Sequence, residues 1–317
     1  MTTAIEIKGL TKRFGRLTAV DDLSLEVPAG SIFGFLGANG AGKTTTLRMV
    51  AGLARPSAGQ ITVGGVGNDR GIAYRRRIGY LCQEPAFYGW MSGREVLRYA
   101  AGFYPELSGQ AAREIDRLLE LVGLTDAAGR RCSQYSGGMR QRLGIAAALI
   151  GRPEVLLLDE PATGLDPIGR RDVLELMEQL RSTTTIFYST HILDDVQRVS
   201  DRVAVIDQGR LVVTDRTDHL LSSFTRNRLR VELLGATGET APLLANIPGV
   251  KGVSLEEPGK GSQKFSLEIG DTSVGAVQRA LTSFAFNNGL SVIEARPETL
   301  DLEEVFLRLV GKQEIAA

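Results

Sequence analysis

Gly37-Ala38-Asn39-Gly40-Ala41-Gly42-Lys43-Thr44 is the segment that best predicts the fold of this chain. It fits the pattern G-x-x-x-x-G-K-[ST], in which glycines let the backbone curl so that successive amide groups face one anion-binding concavity. Lys43 adds a mobile positive charge for the β- and γ-phosphates of a nucleotide, and Thr44 offers a hydroxyl to Mg²⁺. The residues predicted to bind the nucleotide here are Gly37, Asn39, Gly40, Ala41, Gly42, Lys43, Thr44 and Thr45.

The sequence around this loop predicts a strand before it and a helix after it. Residues 31–36 are typical of a buried strand, and residues 45–52 of a helix whose positive N-terminal dipole faces the phosphates. Alternating apolar residues at 5–7 and 23–27 predict antiparallel strands upstream, and residues 11–15 predict a turn. Further strands are expected at 61–63, 78–82, 155–158, 185–189 and 203–206, and helices at 94–101, 110–122, 142–150, 172–180 and 192–199.

Length and composition are those of an ordinary globular protein. The 317 residues favour two domains, and the 43% hydrophobic and 23% charged content is unremarkable. The net charge of +0 gives no reason to expect nucleic-acid binding, and the Arg75-Arg76-Arg77 run is interpreted as a solvated face. The sequence has neither 18 consecutive apolar residues nor a signal sequence, so the chain is expected to stay in the cytosol. In that reducing compartment, Cys82 and Cys132 are expected to be buried thiols and not a disulfide.

A second acidic motif follows an apolar strand at residues 155–158. Asp159 and Glu160 come directly after it, and ligands of open α/β sheets bind at the carboxyl ends of strands. We therefore expect Asp159 to hold Mg²⁺ through water and Glu160 to orient or deprotonate the attacking water. Alone, the two carboxylates could equally cap the turn at Pro161.

The segment Ser136-Gly137-Gly138-Met139-Arg140-Gln141 stands before a predicted helix and makes a second anion-binding element. One chain then carries two phosphate-binding elements but only one loop of the G-x-x-x-x-G-K-[ST] type. The simplest use for the surplus element is the ATP of another subunit.

These motifs, with Gln83, Gly164-Leu165-Asp166 and Ser189-Thr190-His191, make residues 4–215 resemble the nucleotide-binding subunit of an ABC transporter. The usual Leu-Ser-Gly-Gly-Gln motif is altered, because Tyr135 and Met139 replace its Leu and Gln, while the Ser and Gly that meet phosphate are kept. The resemblance implies an α/β P-loop NTPase core with an antiparallel β subdomain and a helical subdomain at about 86–150, forming an ATPase domain over 1–217.

The resemblance also implies roles for single residues. Phe14 resembles the aromatic that stacks on adenine, although a packed strand-end aromatic is the alternative. Gln83 resembles the glutamine that touches Mg²⁺ and water, and His191 the switch histidine on the γ-phosphate. Three further roles act between two chains: Ser136, Gly137 and Gly138 would contact the partner's ATP, and Asp166 would link the two sites.

Residues 225–317 differ in character and predict a small ferredoxin-like α+β domain. The predicted order is strand, helix, strand, strand, helix, strand, followed by a helix from Asp301. Such an extension, ending in a segment like residues 297–306, resembles those of bacterial drug, antibiotic, polysaccharide and sodium exporters. A dimer contact, a regulatory role or a stabilising appendage all fit it, and His219 is interpreted as an ordinary residue.

The predicted function is therefore an ATPase that uses ATP and Mg²⁺ to drive transport. Its expected partners are a second copy of itself and a separate membrane permease, at the cytoplasmic face of the membrane, with no nucleic acid. Residues 87–91 are the candidate docking segment, with core packing as the alternative. There are two competing hypotheses: a soluble ATPase that acts on ribosomes or DNA, and a nucleotide-gated module without catalysis. The sequence has one P-loop, whereas ribosome-acting relatives usually carry two ATPase halves, which argues against the first. The presence of Glu160 and His191 argues against the second.

Overall fold

The computed structural model describes residues 2–220, 228–258, 261–270 and 272–297. They divide into two compact units, one running to Thr217 and the other beginning at Asp218. Within these ranges, no helix combines the length and the apolar character needed to cross a membrane.

The first unit alternates strands and helices. Its strands are β1 (Thr3–Phe14), β2 (Leu17–Pro28), β3 (Ile32–Leu36), β4 (Ala58–Val63), β5 (Val66–Gly67), β6 (Ile78–Leu81), β7 (Val155–Asp159), β8 (Thr185–Thr190), β9 (Arg202–Asp207) and β10 (Arg210–Arg216). Its helices are α1 (Lys43–Val50), α2 (Ile72–Arg75), α3 (Gly93–Ala101), α4 (Ala111–Leu121), α5 (Gly137–Leu149), α6 (Pro167–Leu180) and α7 (Leu193–Val199), with short 3-10 helices at Pro105–Leu107 and Cys132–Gln134.

Two sheets organise this unit. A six-stranded sheet has the order β10-β9-β3-β8-β7-β6, and the strands from β9 to β6 are parallel. A four-stranded antiparallel sheet has the order β2-β1-β4-β5. The parallel strands β3, β6, β7 and β8 end at one edge, so the segments that follow them meet there.

The core joins the two sheets through α1. One apolar cluster includes Ile5 and Ile7 of β1, Leu47 of α1, and Phe35 and Phe187 of the parallel sheet. The rings of Phe35 and Phe187 lie 5.4 Å apart, and both are fully buried. Burying a side chain of this size stabilises the fold by about 1.5–3 kcal/mol, so this cluster fixes β3 and β8 firmly.

The predicted fold class is confirmed, but several boundaries were wrong. The turn predicted at residues 11–15 is strand up to Phe14, because β1 pairs with both β2 and β4 and turns only at Gly15 and Arg16. Helices α5 and α6 begin five residues earlier than predicted, since Ser136 and Asp166 cap them with their side chains.

Burial decides three smaller expectations. The run from Arg75 to Arg77 lies on the surface, as expected. Both cysteines are free thiols, but only Cys132 is buried; Cys82 is partly exposed, so its predicted burial was wrong. His219 is an exposed residue.

In its described residues, the second unit has a four-stranded antiparallel sheet and two helices. Its elements are β11 (Arg228–Leu234), α8 (Thr240–Leu244), β12 (Val250–Pro258), β13 (Ser262–Ile269), α9 (Val274–Asn287) and β14 (Ser291–Pro297), and the sheet order is β12-β13-β11-β14. This is the predicted ferredoxin-like order. Leu229, Val231, Phe265 and Leu281 lie in its separate apolar core. The helix predicted from Asp301 lies outside the described residues.

Candidate functional site

The glycine-rich loop lies between β3 and α1, pressed against neighbouring backbone. Gly42 has φ +106, and a Cβ atom there would lie 2.5 Å from the carbonyl oxygen of Ala19. A Cβ atom on Gly37 would lie 2.5 Å from the carbonyl oxygen of Ile206. Both positions therefore require glycine, which explains two of the glycines in the motif. Helix α1 starts directly after Gly42, so its N-terminal amides lie at the end of the loop.

One cavity of about 680 Å³ is lined by most of the predicted site residues. It is lined by Phe14, Leu17, Ala19, Asn39, Gly40, Gly42, Lys43, Thr44, Thr45, Gln83, Glu160, Thr163 and His191. Segments that are far apart in the sequence thus meet at the carboxyl edge of the parallel sheet.

Lys43 is buried inside this site, with a side chain only 3% exposed. Its Nζ atom donates to the carbonyl oxygens of Gly37 at 2.8 Å and Ala38 at 3.1 Å. It also lies 3.3 Å from Oε1 of Glu160. A buried ammonium group needs such partners, and together they hold its charge beside the phosphate-binding loop.

Asp159 has the arrangement expected of a metal ligand. Its Oδ1 atom accepts hydrogen bonds from Thr44 Oγ1 at 3.0 Å and from Ser189 Oγ at 2.7 Å. Its Oδ2 atom is buried and has no hydrogen-bond partner among the described residues. A hydroxyl and a carboxylate oxygen are ligands that Mg²⁺ prefers, so these residues fit a magnesium ion or its bound water.

Glu160 is the residue on which the site converges. Its Oε2 atom lies 3.1 Å from Nδ1 of His191, and accepts from Thr163 Oγ1 at 3.2 Å and from Gln83 Nε2 at 3.4 Å. Each of these partners follows a different strand or turn. The carboxylate is thereby fixed in one orientation inside the cavity, as a general base must be.

The backbone of Glu160 is strained, because its φ is +47, a value that residues other than glycine rarely adopt. Its amide donates to both the carbonyl oxygen and the Oγ atom of Ser189, at 3.1 and 3.0 Å. The neighbouring strand β8 thus holds the strained residue in place, and strain of this kind is common at functional sites.

Phe14 lies at the mouth of the cavity with 54% of its surface exposed. The Nζ atom of Lys12 lies 4.9 Å from the centre of its ring. The alternative of a packed strand-end aromatic is therefore wrong, and the ring is available for stacking.

The remaining predicted residues form a second cluster. Ser136 caps α5 by accepting from the amide of Met139 at 3.2 Å, and Asp166 caps α6 by accepting from the amide of Gly169 at 3.0 Å. A Cβ atom on Gly138 would lie 3.3 Å from the Cα atom of Gly169, so the first turns of the two helices touch. Among the described residues that line the cavity of about 680 Å³, none belongs to this second cluster.

Sequence reasoning missed several residues of the site. Leu17, Ala19 and Thr163 line the cavity, and Ser189 bonds to both acidic residues. Ser189 belongs to the Ser189-Thr190-His191 motif at the end of a predicted strand, but the sequence predicted no role for its hydroxyl. Leu17 and Ala19 have no polar side-chain group, so their place in the cavity could be recognised only from the folded structure.

One partly buried tyrosine near the site has a raised pKa. Burial, reinforced by the charge of Asp159, raises the pKa of Tyr80 on β6. Its hydroxyl is buried, and the nearby Arg48 offsets part of the rise in this pKa. Tyr80 therefore stays neutral beside the acidic end of β7.

Comparison with known proteins gives a consistent result. A family profile described as ABC transporter matches residues 20–163. The chain is 36% identical to a bacitracin transport ATP-binding protein of Bacillus licheniformis, over 98% of each chain. It is 37% identical to a daunorubicin resistance ATP-binding protein of Streptomyces coeruleorubidus, over 98% of this chain and 96% of the relative. A solved structure described as the ATP binding subunit of an ABC transporter superposes with a TM-score of 0.63 at 30% identity, covering 70% of this chain and 93% of that one.

Proposed function

The chain belongs to the ATP-binding subunits of ABC transporters, and we propose which of its residues hydrolyse ATP and how two copies cooperate. The family activity is ATP hydrolysis coupled to transport. The observation that carries the proposal is the convergence of Gln83, Thr163 and His191 on the carboxylate of Glu160, beside Lys43.

The nucleotide would enter the cavity with its base stacked on Phe14 and its phosphates on the glycine-rich loop. The amides of Asn39 to Thr45 would surround the β-phosphate, with Gly37, Gly40, Ala41 and Gly42 giving the loop its shape. Lys43, now held by Glu160 and two carbonyl oxygens, would turn to the β- and γ-phosphates. A phosphate carries more negative charge than one carboxylate, which favours this exchange of partners.

Mg²⁺ would be held by Thr44 and, through water, by Asp159, with Gln83 at the edge of its coordination. The bound ion would neutralise charge that develops on the phosphates. Glu160, once released by Lys43, would accept a proton from the attacking water through its Oε atoms. His191, 3.1 Å from that carboxylate, would hydrogen-bond the γ-phosphate and hold the water between them.

A second copy of the chain would complete each site. The Ser136–Gly138 turn and Asp166 lie together at two helix N-termini, outside the described lining of the chain's own cavity. Amides at a helix N-terminus attract anions, so this cluster suits the γ-phosphate bound by a partner chain. Two copies would therefore sandwich two ATP molecules, with hydrolysis opening the dimer.

A membrane permease would dock on an exposed aromatic surface next to Gln83. Tyr88 and Trp90 are 62% and 66% exposed and stack with ring centres 5.7 Å apart. The alternative of core packing for this segment is thus wrong for these two residues. Beside them, Ala86, Phe87, Met91, Val96 and Tyr99 line a groove of about 400 Å³ with Tyr88. Aromatic anchors beside such a groove are typical of the centre of protein interfaces.

Docking there would hold the chain as a peripheral protein at the cytoplasmic face of the membrane. The relatives named for bacitracin transport and daunorubicin resistance support a role in exporting antibiotic-like compounds. The cargo itself would be selected by the membrane subunit.

Phosphate release from the purified chain tests this proposal. We expect Mg²⁺-dependent ATP hydrolysis that Glu160→Gln lowers by roughly 100-fold or more while ATP still binds. The matched control is Glu175→Gln, an exposed carboxylate on α6, which should leave turnover unchanged. Turnover near the wild-type rate in the Glu160→Gln protein would remove Glu160 from its role.

A further inference from the structure

Helices α6 and α7 each follow a segment that the proposed mechanism uses. Helix α6 starts immediately after Asp166, in the cluster that would face the partner's ATP. Helix α7 starts two residues after His191, in the chain's own site. A connection between these helices would therefore connect the two ATP sites of a dimer.

One ion pair joins the first turns of the two helices. Arg170 Nε donates to Asp195 Oδ1 at 2.7 Å, and the Asp195 side chain is only 2% exposed. Arg170 is itself in the first turn of α6, because its amide donates to the carbonyl oxygen of Asp166 at 2.9 Å. A carboxylate buried this deeply needs a positively charged partner. If one helix moved without the other, the charge of Asp195 would be left buried without Arg170 or would be exposed to water.

Weaker contacts continue the connection along both helices. Arg198 of α7 lies 3.5 Å from Glu175 of α6, with both side chains nearly half exposed. Arg181, at the end of α6, donates to the carbonyl oxygen of Val199 at 2.9 Å. Three contacts thus connect the two helices, and of these only the Arg170–Asp195 pair includes a buried charged group.

The cluster that faces the partner is rigidly attached to the same helix. Leu165 packs on Gly137, and the first turns of α5 and α6 approach at Gly138 and Gly169. A displacement of this cluster by a partner's ATP would carry α6 with it. Because close-packed elements move as units, the displacement would reach α7 through Arg170 and Asp195.

We propose that Arg170 and Asp195 are a positioning pair that couples the two ATP sites of the dimer, by moving His191 when the partner's ATP engages Ser136 and Asp166. The inference rests on the proposed sandwich dimer. It assigns the pair no contact with nucleotide, so its loss should affect cooperation between sites and not ATP binding by one chain.

Three variants of the full-length chain test the coupling. Arg170→Met removes the hydrogen-bond donor but keeps a side chain of similar length. Asp195→Asn removes the negative charge but keeps the shape of the side chain. Arg170→Lys keeps a positive charge at position 170. The control is Arg198→Met, which breaks the exposed pair between the same helices and should change little. Each is measured for binding of a fluorescent ATP analogue to the monomer, for the rate and Hill coefficient of ATP hydrolysis, and for dimer formation in a Glu160→Gln background.

For Arg170→Met and Asp195→Asn we expect analogue affinity within about twofold of wild type, turnover lower by roughly 5- to 20-fold, and a Hill coefficient falling towards about one. Arg170→Lys should recover most of the turnover. Wild-type turnover and cooperativity in both variants would overturn the inference, as would losses that only parallel a fall in melting temperature or in analogue affinity. If Arg170→Met does not fold, Asp195→Asn decides.

Failure of the proposed function has a different signature. If the Glu160→Gln chain without any other change stays monomeric with ATP and Mg²⁺, the sandwich dimer is wrong and the coupling falls with it. If that chain dimerises while Arg170→Met and Asp195→Asn keep wild-type hydrolysis, only the coupling is wrong.

Discussion

The Nζ atom of Lys43 lies 3.3 Å from Oε1 of Glu160, and both side chains are at least nine-tenths buried. The cation that would bind phosphate is thus paired with the carboxylate that would activate water. In the proposed mechanism, ATP binding would separate them, because Lys43 would leave Glu160 for the phosphates. Glu160 would then be free to accept a proton only when nucleotide is bound.

Lys43→Ala should weaken ATP binding by roughly 100-fold or more, because the phosphates lose a buried charge-assisted partner. Isothermal titration calorimetry with ATP and Mg²⁺ measures the change. The control is Lys264→Ala in the second unit, whose side chain is 45% exposed and should not affect binding. Equal affinity in both variants would contradict the assignment of Lys43.

Asp159→Asn should weaken the binding of Mg²⁺ and thereby slow hydrolysis. The substitution keeps the shape and the bonds from Thr44 and Ser189, but it removes the charge behind the buried Oδ2 atom. We expect a higher Mg²⁺ concentration for half-maximal activity and turnover lower by roughly 10- to 1,000-fold. An unchanged Mg²⁺ titration would show that Asp159 does not serve the metal.

Gly42→Ala should destabilise the loop. A Cβ atom would lie 2.5 Å from the Ala19 carbonyl oxygen, at a residue whose φ is +106. We expect a loss of about 1–3 kcal/mol in the free energy of unfolding, with weaker ATP binding. Urea denaturation measures the loss. In Gly129→Ala, the added Cβ meets no atom of the described chain within 4 Å, and this control should stay within about 0.5 kcal/mol of wild type.

Glu114→Gln should lower stability in a pH-dependent way. Burial alone would raise the pKa of Glu114, but hydrogen bonds from Arg117 and Arg152 outweigh it and hold that pKa below its ordinary value of 4.5. A lowered pKa in the folded state stabilises the fold above 4.5, and this contribution is lost as pH falls through the folded-state pKa. We expect the variant to lose about 1–3 kcal/mol at neutral pH and the difference from wild type to shrink in acid. A difference that stays constant with pH would contradict the account.

Trp90→Ala should weaken attachment to the membrane subunit without affecting ATP hydrolysis by the isolated chain. The exposed ring lies in the proposed docking surface and outside the described lining of the nucleotide cavity. Co-purification from membranes, quantified against wild type, measures the loss. Phe286→Ala, which removes an 86% exposed ring of the second unit, is the matched control. Equal recovery of both variants would place the permease elsewhere.

The parts of the site that are local in sequence could be predicted, since glycine spacing, the Lys43–Thr44 pair and the acidic end of β7 each carry their own signal. The edge at which they meet also followed from the parallel strands. Thr163 was missed because its role depends on one turn that brings its hydroxyl to Glu160.

Contacts between distant segments could not be predicted from one sequence. Arg170 and Asp195 look like ordinary surface charges in a helix pattern, and only the packing of α6 on α7 buries their pair. Glu114 likewise falls in the helical period of α4, where only the fold brings Arg152 to it. The early starts of α5 and α6 were missed for a local reason, because apolar periodicity begins after the capped first turn.

If each ATP site is shared between two chains, the mass of the Glu160→Gln chain should depend on whether ATP and Mg²⁺ are present. Light scattering should give twice the monomer mass with ATP and the monomer mass without it. Adding Ser136→Arg should abolish the dimer, whereas Ser273→Arg, which removes a similar serine cap from α9, should not. A chain that stays monomeric with ATP, or a dimer that survives Ser136→Arg, would contradict the account.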